Sequence, residues 1–114
     1  MQSKKSQVIS KPLKSVPKPT LEDLKQLLRD NLADLQREYR VGSLWLFGSY
    51  VRDEQHMRSD LDILVEFEEV PTRPKFISLE RKLRKVTGIK VDLVSIRSLK
   101  GEIGERILRE RIAL

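Results

Sequence analysis

The 114-residue chain contains no cysteine and one histidine, His56. The first absence excludes a disulfide scaffold, a zinc ribbon and a thiol nucleophile together. The second excludes a histidine-based metal cage, and a lone imidazole in a polar stretch makes a surface residue rather than the base of a Ser-His-Asp triad. No run approaches the roughly 20 apolar residues of a membrane span, and the lysine-bearing N-terminus lacks the continuous apolar stretch of a secretory signal. The expectation is a soluble, cytoplasmic protein with no membrane partner. Its chemistry is left to carboxylates, hydroxyls, arginines, lysines or borrowed metal ions.

Positive charge is plentiful but unevenly placed. Residues 1–19 hold five lysines, three prolines and no acid, which leaves 18 basic against 17 acidic side chains over residues 20–114. This makes 1–19 a disordered basic tail and 20–114 a single small domain, long enough for one core. A near-neutral domain also argues against direct nucleic-acid binding. The one basic stripe, Arg81-Lys82-Leu83-Arg84-Lys85, reads as the solvated face of a helix.

Thr20-Leu-Glu-Asp23 is a capping box, followed by Leu21, Leu24, Leu28, Leu32 and Leu35 at helical spacing. Val41-Gly42-Ser43 breaks this helix, and Leu44–Phe47 is a short buried strand in which Trp45 and Phe47 are expected to pack the core. Gly48-Ser49 closes the strand and opens a helical turn or two within the polar residues 50–59. Residues 60–70 alternate with period two, making the clearest strand. Phe76, Leu79, Leu83 and Val86 then mark a helix over 75–87, ended by Gly88. Ile89, Val91 and Leu93 mark another strand, and Leu99, Ile103, Ile107 and Ile112 a helix over 98–113. The order predicts an α/β (α+β) domain, a small sheet flanked by helices.

Asp60 and Asp62, two apart on one strand, leave the same face, and Asp92 is centred in the next strand, opposite in phase to its apolar neighbours. Each alone is a solvent-facing residue. Three in phase on strands, where aspartate is disfavoured, form a patch of mutual repulsion that a divalent oxygen-loving cation relieves. Gly48-Ser49, at a strand-to-helix turn, supplies backbone N–H groups and a hydroxyl where a phosphate can approach without meeting a Cβ.

Leu46-Phe-Gly-Ser-Tyr-Val-Arg52, followed by Ser59-Asp-Leu-Asp-Ile-Leu-Val65, resembles the signature of the minimal nucleotidyltransferases of the DNA polymerase β-like superfamily. That pattern is G-S-x-x-R-G, a short polar spacer, then S-D-x-D, with a third carboxylate on a later strand matched by Val91-Asp92-Leu93-Val94. Asp53 departs from it, standing where family members commonly carry glycine. The resemblance covers about residues 20–114 and implies the polymerase β-like nucleotidyltransferase fold, with a small mixed sheet. It further implies that Gly48, Ser49, Arg52 and Ser59 bind the nucleotide, that Asp60, Asp62 and Asp92 are catalytic and hold two Mg²⁺, and that Asp92 helps to activate the attacking hydroxyl. ATP would be the substrate. Stand-alone members are similar to antitoxins that transfer AMP onto a tyrosine of a HEPN-domain ribonuclease toxin. Two other readings stay open: a non-catalytic module that neutralises its partner by binding, and a transferase for a small molecule whose pocket a second subunit completes.

Overall fold

The computed structural model describes residues 19–56 and 59–114. The expected disordered tail over 1–19 therefore lies, Pro19 apart, outside the described residues. Helix α1 (Leu21–Tyr39) starts where the sequence places it. Asp23 N–H donates to Thr20 Oγ1 at 3.1 Å and Thr20 N–H donates to Asp23 Oδ2 at 3.0 Å, so two donors left over at the helix start are satisfied reciprocally. Leu24, Leu28 and Leu35 are fully buried, with Leu21 and Leu32 packed at the edge of the same cluster. Arg40, in the left-handed conformation at φ 58°, ends the helix.

The helix ends before Val41-Gly42-Ser43 as expected, and those three residues already belong to a strand, β1 (Val41–Phe47), longer than the one expected over Leu44–Phe47. One left-handed residue, Arg40, is enough to turn the chain, and Gly42 is absorbed as a register shift between Val41 and Ser43. β1 pairs antiparallel with β2 (Leu61–Phe67), and β2 pairs parallel with β3 (Val91–Ser95). Between β2 and β3 runs α2 (Arg73–Thr87), the crossover that a parallel pair requires. Its first turn is capped by Thr72, whose hydroxyl accepts from Lys75 N–H at 3.3 Å, and it ends at left-handed Gly88.

Register assigns the two faces of this sheet. Leu44, Leu46, Leu61, Ile63, Val65, Val91 and Leu93 share one face and form one core with Leu24, Leu28, Leu35, Leu79 and Leu83 of α1 and α2. Burying each such side chain stabilises the fold by about 1.5–3 kcal/mol. Trp45, Phe47, Asp62, Leu64, Asp92 and Val94 fall on the opposite face. Trp45 thus lies outside the core to which the sequence assigned it, while Phe47 is buried as expected but on the face away from α1 and α2. Trp45 is half-buried with the Arg111 guanidinium 5.0 Å from its ring centre, whereas Phe47 is buried at 7% exposure.

The C-terminal segment differs most from expectation. The helix predicted over 98–113 divides into a 3₁₀ turn (Ile96–Ser98), α3 (Gly101–Glu110) and a two-residue strand β4 (Ile112–Ala113). β4 adds antiparallel to β1, so the sheet runs β3-β2-β1-β4. Ile112 therefore leaves the helical apolar set and packs against the core from a strand. Ile103 is 74% exposed, and Gly104 is the one buried residue of α3. There a Cβ would stand 3.1 Å from Leu99 atoms, so glycine lets the helix start close to the preceding turn.

Candidate active site

The parallel register of β2 and β3 sets Asp62 directly across from Asp92, and the antiparallel register of β1 and β2 sets Phe47 across from Asp62. Neighbouring strands lie about 4.8 Å apart, so the two carboxylates are neighbours on the face away from the core. Asp60 enters from the residues leading into β2. Asp62 is half-buried, and its carboxyl is pushed up to about 6, first by burial, then by the charges of Asp92 and Asp60. Arg52 acts in the opposite direction and Glu110 adds to the rise.

Gly48 follows β1 at φ 82°, and this is a position where glycine is required. A Cβ there would overlap Asp62 Oδ2 and stand 2.8 Å from its Cγ. The Gly48 carbonyl accepts from Val51 N–H (3.0 Å) and Arg52 N–H (3.1 Å), and the Ser49 carbonyl accepts from Glu54 N–H (2.8 Å). These bonds make a compact series of turns rather than the helix expected after Gly48-Ser49. Buried Tyr50 ties the turn to the core. Asp53 takes the left-handed conformation at φ 59°, which gives a physical reason for glycine at the matching position of the family pattern. Asp53→Gly is expected to leave the turn in place and to change stability by no more than about 1 kcal/mol, relief of strain being offset by a freer unfolded chain. A urea titration checks this; a loss of several kcal/mol would mean that the Asp53 side chain itself holds the turn.

One residue at this turn escapes the sequence reading altogether. Glu110, the last residue of α3, accepts from Gly48 N–H at 3.0 Å through Oε1. Arg52 Nη1 donates to Oε1 at 3.0 Å and to Oε2 at 3.1 Å, while Arg52 Nε donates to Glu54 Oε1 at 2.9 Å. In the sequence Glu110 is one acid on a charged helix, four residues from Arg106. Only the chain reversal through Arg111 into β4 carries it back to Gly48. Gly48, Arg52, Asp62 and Glu110 line one cavity of about 260 Å³, with Phe47, Ile103, Arg106 and Ile107 as its remaining walls. A larger cavity, about 440 Å³, lies between Phe67, Phe76 and Arg97 and takes in none of the three aspartates. The larger cavity thus lies away from both the aspartates and the glycine turn.

A family model described as a nucleotidyltransferase domain matches residues 24–114. The chain belongs to that family. The protein adenylyltransferase MntA of Thermococcus cleftensis is 45% identical over 91 residues, covering 80% of this chain and 92% of the relative. A solved structure of a minimal nucleotidyltransferase superposes with a TM-score of 0.71 at 36% identity, covering 84% of this chain and 97% of that one. A solved toxin-antitoxin complex with AMP-PNP contains a chain that superposes at 0.61 with 27% identity, covering 74% and 69%. The mixed sheet flanked by helices is the fold of these minimal nucleotidyltransferases.

Within this nucleotidyltransferase the site residues expected from the sequence separate into two groups. Gly48, Arg52 and Asp62 meet in the cavity, and Asp92 stands in register beside Asp62. Ser49, Ser59, Asp60 and Asp92 itself do not line the cavity. Ser59 closes the loop before β2, its hydroxyl accepting from His56 N–H at 2.9 Å and its own N–H donating to the His56 carbonyl at 3.0 Å. No group of three or more His, Cys, Asp or Glu among the described residues is arranged to hold a metal ion by itself. The donor chemistry nonetheless fits a hard divalent cation. Burial and the charges of Asp92 and Asp60 push the Asp62 carboxyl up to about 6, a cost of charge that a cation shared with substrate phosphates would relieve. No helix among the described residues is long and apolar enough to cross a membrane.

Proposed function

We propose that this nucleotidyltransferase moves AMP from ATP to the hydroxyl of a tyrosine on a HEPN-domain toxin and thereby acts as its antitoxin. The observation that carries the chemistry is the register pairing of Asp62 with Asp92 beside the Gly48 turn and Arg52. The name of the Thermococcus relative and the toxin-antitoxin complex with AMP-PNP support the acceptor class and the nucleotide.

In this reading the Gly48 N–H and the Arg52 guanidinium bind the phosphates and fix the nucleotide, with Ser49 and Ser59 shaping the loops on either side. Asp60, Asp62 and Asp92 would hold Mg²⁺, which when bound stabilises the attacking and leaving oxygens of an in-line displacement. Asp92, the exposed member of the trio, accepts the proton of the tyrosine hydroxyl. The tyrosine oxygen bonds to the α-phosphorus, the bond to the bridging oxygen breaks, and pyrophosphate leaves. Incubation with a HEPN partner, ATP and Mg²⁺ is expected to add multiples of about 329 Da to a partner tyrosine, the increment of one AMP. Asp92→Asn should bind the partner yet add no mass. Neutralisation of the partner without any mass change, matched by Asp60→Asn, would replace this reading with neutralisation by binding alone.

A further inference from the structure

Glu110 brings a carboxylate of the chain's own into the place a phosphate would take. An anion at this spot receives a backbone N–H from a glycine turn and a guanidinium together, the combination that recognises phosphate. Glu110 already receives both, from Gly48 at 3.0 Å and from Arg52 at 3.0 and 3.1 Å, and its side chain is only 19% exposed. The Gly48 amide has a single hydrogen to give. A phosphate oxygen and Glu110 Oε1 therefore compete for it.

We infer that Glu110 is a built-in occupant of the phosphate seat, an autoinhibitory contact that the triphosphate displaces when nucleotide binds. This rests on the nucleotide-site reading above. Two features of α3 make the displacement cheap. Arg106 Nε lies 3.8 Å from Glu110 Oε2 one helical turn back, so a released carboxylate keeps a cationic neighbour. Only Gly104 of α3 is buried and no side chain of α3 belongs to the core cluster, so the Glu110 side chain can swing off Gly48 without opening the core.

The test is calorimetry on the full chain with three probes in Mg²⁺ buffer: AMP-PNP, inorganic tripolyphosphate and adenosine. Glu110→Ala is expected to bind AMP-PNP and tripolyphosphate about tenfold tighter than wild type, with adenosine affinity unchanged. Glu110→Asp keeps the charge but shortens the reach, and is expected to tighten both phosphate probes as well. The Gly48 amide resonance should move on adding tripolyphosphate to wild type, and should already be displaced in Glu110→Ala without ligand. Phosphate affinities equal to or weaker than wild type in both variants, in protein that melts normally, would overturn the inference while leaving the nucleotide site standing. Tightening in Glu110→Ala with Glu110→Asp unchanged would overturn it too, because charge rather than occupancy would then be at work. If neither wild type nor variants bind AMP-PNP, the nucleotide-site reading falls and this inference with it.

Discussion

Asp62→Asn is expected to reduce AMP transfer by roughly a thousandfold, the scale of losing one preorganised electrostatic contact, and yet to make the protein more stable at pH 7 in metal-free buffer. The two effects share one cause. Burial and the neighbouring Asp92 and Asp60 raise the Asp62 carboxyl to about 6, whereas in the unfolded chain it ionises near 3.9. Below about pH 4 both states are protonated and the carboxyl makes no difference. Between about 4 and 6 the folded state holds a proton that the unfolded state has released, so stability falls as pH rises through that window. Above it the folded protein carries the full cost of a charged, half-buried acid beside two others. Asparagine removes that charge at nearly constant shape. With solvent screening discounted, the gain at pH 7 is about 1 kcal/mol, or roughly 4–8 °C in melting temperature for a domain of this size. Melts of wild type and variant at pH 4 and pH 7 check the sign: the gap should be near zero at pH 4 and favour the variant at pH 7. A variant that melts lower at pH 7 would mean that Asp62 makes a stabilising contact in the folded protein.

The sequence revealed those parts of the domain where local chemistry and tertiary structure agree. The Thr20–Asp23 box and the leucine stripe placed α1 almost to the residue, because the cap and the buried face are properties of consecutive positions. Alternation along β2 and β3 placed Asp62 and Asp92 on the side away from the core, and the parallel register then aligned them, while Asp60 stands just before β2. Where the reading failed, contacts distant in sequence decided the outcome. Trp45 looks like a core residue in a run of apolar side chains, but on a two-sided strand half of such a run must face away from α1 and α2; Phe47 faces away as well and is buried there. The helix predicted over 98–113 exists only as Gly101–Glu110, and Ile103 of its apolar set is exposed. Pairing of Ile112 and Ala113 with Leu46 and Trp45 ended the helix early. That same pairing returns Glu110 to Gly48 across 62 residues of sequence, a contact that no local pattern announces.

Gly48→Ala is expected to cost about 2–4 kcal/mol of stability and to weaken nucleotide binding by roughly a hundredfold. Gly88 separates the two reasons. It has nearly the same backbone, φ 76° against 82°, but a Cβ at Gly88 would meet nothing within 4 Å. Gly88→Ala therefore reports the left-handed backbone cost alone, about 1 kcal/mol. At Gly48 the same cost is joined by overlap with Asp62 Oδ2 and an approach of 2.8 Å to Cγ. Relief requires either that the Asp62 side chain swing away from Asp92 or that the turn carrying the Gly48 N–H move off Glu110 and Arg52. Both movements spoil the phosphate seat, so the loss of binding follows whichever happens. The two residues should also couple. In the double variant Gly48→Ala with Asp62→Ala, the overlapping oxygen is gone, and the added destabilisation from the glycine substitution should shrink toward the Gly88 value. Urea titrations of the four proteins in that cycle, with Gly88→Ala beside them, measure the coupling directly. Strict additivity would show that the turn avoids Asp62 by some other route, and that the glycine serves backbone conformation alone.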